Sequence, residues 1–81
     1  MNRRKFEEKA KKWIEKFGYF AVATPCQIVF ADDYEFFNEE PYTELDLYWN
    51  GNIVAHMYLF DVIKVGIEVE KYEQERFWRR S

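Results

Sequence analysis

The stretch Tyr42-Thr43-Glu44-Leu45-Asp46-Leu47-Tyr48-Trp49-Asn50-Gly51-Asn52-Ile53-Val54-Ala55-His56-Met57-Tyr58-Leu59-Phe60 decides the fold through its spacing. Thr43, Leu45, Leu47 and Trp49 alternate with Glu44, Asp46 and Tyr48, the two-residue period of a strand with one face covered. Asn50-Gly51 marks a hairpin, because both residues accept the left-handed backbone that a tight turn needs. Ile53 to Phe60 is then the returning strand.

Two registers compete, and a slip of one residue exchanges the faces of the strand. A two-residue turn at Asn50-Gly51 sets Leu47 across from Val54 and Leu45 across from His56. A three-residue loop, Asn50 to Asn52, sets Trp49 against Ile53, Leu47 against Ala55, Asp46 against His56 and Leu45 against Met57. The second is preferred, because it gathers Leu45, Leu47, Trp49, Ile53, Ala55, Met57 and Leu59 on one apolar face. The opposite face then carries Tyr42, Glu44, Asp46, Tyr48, Val54, His56, Tyr58 and Phe60.

Upstream, Phe6, Ala10, Trp13, Ile14 and Phe17 form one stripe on the helical period. Asn2 suits an N-cap and Gly18 the left-handed position past the end, so a helix is expected over roughly residues 3–17. Residues 19–25 are apolar and irregular, either a short edge strand or a packed connection. Cys26 to Ala31 reads as a strand, and residues 32–40 as an acidic loop closed by Pro41. Ile63, Val65, Ile67 and Val69 alternate as a last strand, with Tyr72 to Ser81 extending it or forming a helical turn. The expected architecture is one α+β domain over residues 1–81. Its N-terminal helix packs on one face of a roughly four-stranded, mainly antiparallel sheet, in the order αββββ. The last hairpin and its third partner strand are its firmest part.

Eighty-one residues with eight Phe, six Tyr and three Trp fill one core without staples. Cys26 is the only cysteine, so no disulfide forms within the chain. The first eight residues lack the apolar run of a secretory signal, and no stretch approaches a membrane span. The expectation is a cytoplasmic protein. The net charge of −3 is unevenly spread: +4 over residues 1–17, −10 over 18–75 and +3 over 76–81. Such asymmetry bears on partners rather than on fold.

Candidate chemistry is sparse. Cys26 and His56 are the ingredients of a nucleophile–base dyad, but nothing in the spacing joins them and no orienting third group is evident. Cys26 reads better as a small core residue. His56 opposite Asp46 makes a cross-strand pair whose carboxylate favours imidazolium; its ordinary worth is only about 0.2–1 kcal/mol. The acids at 32–40 lack the spacing of a calcium loop, and one His with one Cys makes no ordinary zinc site. Gly18, Gly51 and Gly66 stand too far apart for a phosphate-binding loop. No cofactor, no metal and no enzymatic activity are expected.

What remains is binding. Asp32, Asp33, Tyr34, Glu35, Phe36, Phe37, Glu39 and Glu40 interleave acids with large rings. Rings serve as anchors at an interface while charges steer encounter. With Glu44, Asp46, Tyr48, His56 and Tyr58 they form the expected partner-binding set, directed at another protein with a basic surface. In size and charge the chain is like small phage or mobile-element inhibitors of nucleic-acid enzymes, of the anti-CRISPR or anti-restriction kind; no motif carries that analogy. The alternative is nucleic-acid binding by Arg3, Arg4, Lys5, Lys9, Lys12 and Lys16 along the helix. Against a binding face stands the reading that residues 19–25 or the C-terminal tail fold over it. A homodimer is a further candidate partner, a membrane partner is not expected, and a designed chain without natural function is a remote third reading.

Overall fold

In a computed structural model of the chain, which describes residues 1–66, the helix α1 spans Arg3–Phe17. Its ends are those the sequence asks for. The Asn2 side chain accepts the Lys5 N–H at 2.8 Å, and Gly18, at φ +82°, returns its own N–H to the Ile14 carbonyl at 2.8 Å. Phe6, Ala10 and Trp13 form the buried stripe.

Among the described residues six strands follow: β1 Phe20–Ala23, β2 Ile28–Ala31, β3 Asp33–Phe37, β4 Glu44–Trp49, β5 Asn52–Tyr58 and β6 Lys64–Val65. All pair antiparallel, so the class is α+β. The expected single sheet is corrected, however. The described residues form two three-stranded sheets, ordered β2-β1-β6 and β3-β4-β5.

Three local readings produced the difference. Phe20, Ala21 and Val22 show no alternation because all three are buried, and β1 is the centre of its sheet rather than an edge. Pro25 lies beyond its end, in a turn where the Thr24 hydroxyl accepts the Cys26 and Gln27 N–H groups at 3.3 and 3.2 Å. Residues 33–37, expected as loop, are strand β3: Asp33 and Glu35 point outward while Tyr34 and Phe36 pack against the core, a two-residue period masked by Phe37. Finally, one 3₁₀ turn, Leu59–Asp61, carries the chain out of the second sheet. The strand that follows therefore pairs with β1, not with β5. The third partner of the β4–β5 hairpin is β3. Ile67, Val69 and the segment Tyr72 to Ser81 lie outside the described residues.

Phe6 joins the two sheets. Its ring is fully buried and meets Phe20 of one sheet and Tyr34 and Phe36 of the other, edge to face, at centroid distances of 5.9, 5.4 and 5.6 Å. Burying such a ring contributes about 1.5–3 kcal/mol, and each edge-on pair about 0.5–1.5 kcal/mol more. Around it Val22, Leu45, Leu47 and Val65 are wholly enclosed. The sheets adjoin at Asp32, the single residue between β2 and β3. Its N–H reaches the Tyr48 carbonyl at 2.9 Å, and its carboxylate accepts the Asn50 N–H at 2.9 Å.

The hairpin combines both registers weighed above. Asn50 and Gly51 have φ of +52° and +82°, the left-handed pair of a two-residue turn, with Trp49 opposite Asn52. Yet Leu47 faces Ala55, Asp46 faces His56 and Leu45 faces Met57. A β-bulge reconciles them: Val54 is an extra residue on β5 between Ile53, opposite Tyr48, and Ala55, opposite Leu47. The inner face is therefore Leu45, Leu47, Ala55, Met57 and Leu59, as preferred, with two corrections. Ile53 lies outside with Tyr48 and is 60% exposed, and Trp49 at the sheet end is 43% exposed.

Candidate acidic and aromatic binding face

The outer face of the second sheet is set by three cross-strand rows. Glu35, Asp46 and His56 form the central row; Phe37, Glu44 and Tyr58 flank it on one side, Asp33, Tyr48 and Ile53 on the other. Alternation on β3 and β4, and the bulge on β5, bring these residues to one side because their neighbours are taken up by the core. Tyr58 stacks on Phe60 at 5.1 Å, extending the apolar rim, and both rings are exposed.

The charges are held rather than loose. The Tyr48 hydroxyl donates to Glu35 at 3.0 Å, and this bond, more than its partial burial, raises the phenol above its ordinary pKa. One ring nitrogen of His56, Nδ1, contacts Asp46 Oδ1, and the other, Nε2, lies 3.1 Å from Glu44 Oε1. The Asp46 bond chiefly, with the Glu44 bond and both charges adding, raises the imidazole above the usual histidine value; its partial removal from water works against them. Asn38 donates to the other oxygen of Glu44.

Of the residues expected to bind a partner, eight meet on this face: Asp33, Glu35, Phe37, Glu44, Asp46, Tyr48, His56 and Tyr58. Tyr34 and Phe36 are corrected to core positions packed against Phe6, and burial, with the charges of Glu7 and Asp33, raises the Tyr34 phenol. Asp32 serves the fold by capping the Asn50 N–H. Glu39 and Glu40 lie in the β3–β4 connection, where Glu40 accepts the Arg3 N–H at 3.3 Å. Spacing pointed to the Asp46–His56 pair; Glu44 as a second carboxylate on the same ring was missed, because it lies on the diagonal and not directly across.

Cys26 and His56 line one groove of about 360 Å³ together with Thr24, Gln27, Met57 and Asp61. Cys26 is exposed in a turn, not a core residue as expected. Both His56 nitrogens face carboxylates, which leaves the ring no free nitrogen to take a thiol proton. Among the described residues, no group of His, Cys, Asp and Glu is disposed to hold a metal ion, and no helix is long and apolar enough to cross a membrane.

The basic helix is differently occupied. Arg3 lies 4.9 Å over the Phe36 ring and Arg4 pairs with Glu8 at 3.3 Å. Lys12 and Lys16 lie over Trp13 at 5.9 and 5.5 Å. Lys5 borders a separate groove with Glu40 and Phe60, and Lys9 is half-buried on the same helix. No family model, no curated protein and no solved structure matches the chain.

Proposed function

We propose that the chain is a non-enzymatic protein-binding module whose contact surface is the outer face of β3-β4-β5, and that its partner presents a basic surface. One observation carries this reading: four carboxylates, Asp33, Glu35, Glu44 and Asp46, stand in adjacent rows with exposed Phe37, Ile53, Tyr58 and Phe60 around them. A face that only needed wetting would not keep large rings there; exposed apolar groups within a polar surround mark interaction sites. The rings supply area to desolvate, and the carboxylates supply long-range attraction and orientation. A finer version of the reading makes the partner a nucleic-acid-handling enzyme, with the acids competing for its phosphate-binding groove as a small inhibitor would. That version rests on size and charge.

The test is comparative affinity capture with the whole chain. Wild type, Asp33→Lys/Glu35→Lys and Lys9→Gln/Lys12→Gln are immobilised side by side. The reading expects a partner held by wild type and by the helix variant but lost from the face variant, while all three unfold at similar temperatures. A partner held equally by all three overturns it.

A second reading, nucleic-acid binding, has an observation of its own. The exposed ring of Phe17, next to Lys16 at the end of α1, meets Tyr19 at 6.4 Å, and Tyr19 in turn bridges the exposed rings of Phe30 and Trp49 at 6.2 and 6.0 Å. Rings beside cations are what unstacked bases and phosphates require. Retardation of a single-stranded oligonucleotide at low salt, abolished in Lys9→Gln/Lys12→Gln, would support it; no retardation would remove it.

A further inference from the structure

We propose that His56 is a proton-operated clasp between β4 and β5, closed when the ring carries two N–H groups and opened when it loses one. The geometry is the ground. An ionised carboxylate only accepts hydrogen bonds, and a neutral imidazole has a single N–H to give. Here Nδ1 faces Asp46 and Nε2 faces Glu44, so a neutral ring would aim a lone pair at one of two carboxylates. Imidazolium alone satisfies both. A carboxyl group is no competitor for that proton, since its ordinary pKa lies about 2 units below that of imidazole.

Among the described residues, the groups beside the ring leave it as the local cation. Glu35 of β3 adjoins Asp46 in the central row, Tyr48 of β4 donates to Glu35, and Asp61, Cys26 and Tyr58 share the groove beside the ring. Each of these is neutral when protonated and negative when not, so none substitutes for the charge of His56. Among the described residues, the ion pairs of Asp46 and Glu44 are both with this ring. The Asp46 side chain is only 14% exposed, whereas that of His56 is 55% exposed. The carboxylate is thus fixed and the ring has room to leave.

When the ring proton is lost, Nδ1 or Nε2 repels the carboxylate it faced, the imidazole turns toward solvent, and the face gains one unit of negative charge. What this means for a partner rests on the binding face proposed above. A basic partner then meets two uncovered carboxylates in the place the imidazolium held, so its affinity rises with pH. The clasp itself does not depend on there being a partner.

The experiment follows the ring nitrogens directly, by two-bond ¹⁵N–¹H NMR of the full chain labelled at histidine, from pH 5 to 9. His56 is the single histidine, so its signals are unambiguous. The expected result is imidazolium, with the two nitrogens alike, at the acid end of the range, and a midpoint above the ordinary histidine value of 6.5. Asp46→Asn and, separately, Glu44→Gln should each move the midpoint down, and either variant suffices if the other does not fold. A midpoint at or below 6.5 in wild type, or midpoints unmoved in both variants, overturns the proposal. Loss of partner capture in the face variant with an unaltered titration tests only the binding face, so the two ideas fail separately.

Discussion

Ile53 stands opposite Tyr48, while Ala55, two residues on, stands opposite the very next residue, Leu47. Val54 is the slack that lets a two-residue turn coexist with a face register otherwise requiring three. Deleting Val54 should give a regular hairpin in which Tyr48 still meets Ile53 and Asp46 still meets His56. The expected outcome is a folded protein with amide shifts changed around residues 48–56 and the Asp46–His56 cross-strand contact intact. NMR of the deletion variant checks it. A swap of inner and outer residues on β5 would show that the bulge does not set the register.

Gly66 and Trp13 make a second prediction. A Cβ at Gly66 would come 1.9 Å from Trp13 Nε1, and the residue has φ +84°. The indole, itself buried, cannot withdraw without opening the core. Gly66→Ala should cost about 2 kcal/mol or more in urea unfolding, from overpacking and left-handed strain together. Gly18→Ala and Gly51→Ala, where a Cβ meets nothing within 4 Å, should cost only the conformational part, about 1–2 kcal/mol.

Phe6→Ala should be the most damaging single truncation of α1. The ring is fully buried and holds Phe20, Tyr34 and Phe36 together across both sheets. Phe→Ala changes in cores cost about 3–5 kcal/mol, a large part of the total stability of a small domain. Circular dichroism on heating should show a strongly lowered midpoint or no cooperative transition. Phe17→Ala, at a ring 39% exposed, should shift the midpoint far less.

The helix was legible in the sequence to its ends, because period, N-cap and terminal Gly18 are local signals. The inner face of β4 and β5 was legible too, through alternation and apolar content. What the sequence concealed was long-range. Nothing in Phe20-Ala21-Val22-Ala23 says that β2 and β6 flank it, since a strand buried on both faces loses its period. Asp33 to Phe37 looked like an acidic loop because Phe37 breaks the alternation after four residues. Its acids and rings read together as one binding segment, whereas the structure turns Asp33 and Glu35 outward and packs the rings of Tyr34 and Phe36 against the core.

Stability should depend on pH through His56 with a defined sign. Its pKa in the folded state is raised by Asp46 first and Glu44 second. A raised folded value means that the charged ring stabilises the fold fully below the unfolded value, about 6.5, and that this contribution fades as pH rises through the folded value. Urea midpoints should therefore fall across the region above pH 6.5 in wild type more than in His56→Gln. Equal slopes for the two chains would contradict the clasp.

The most direct test of the binding face is calorimetric titration of a captured partner with wild type and with Asp33→Lys/Glu35→Lys, at one pH and moderate salt. The double reversal should weaken binding at least about tenfold, a loss of roughly 1.4 kcal/mol, with the unfolding midpoint unchanged. An affinity equal to that of wild type, measured on a fully folded variant, would contradict it.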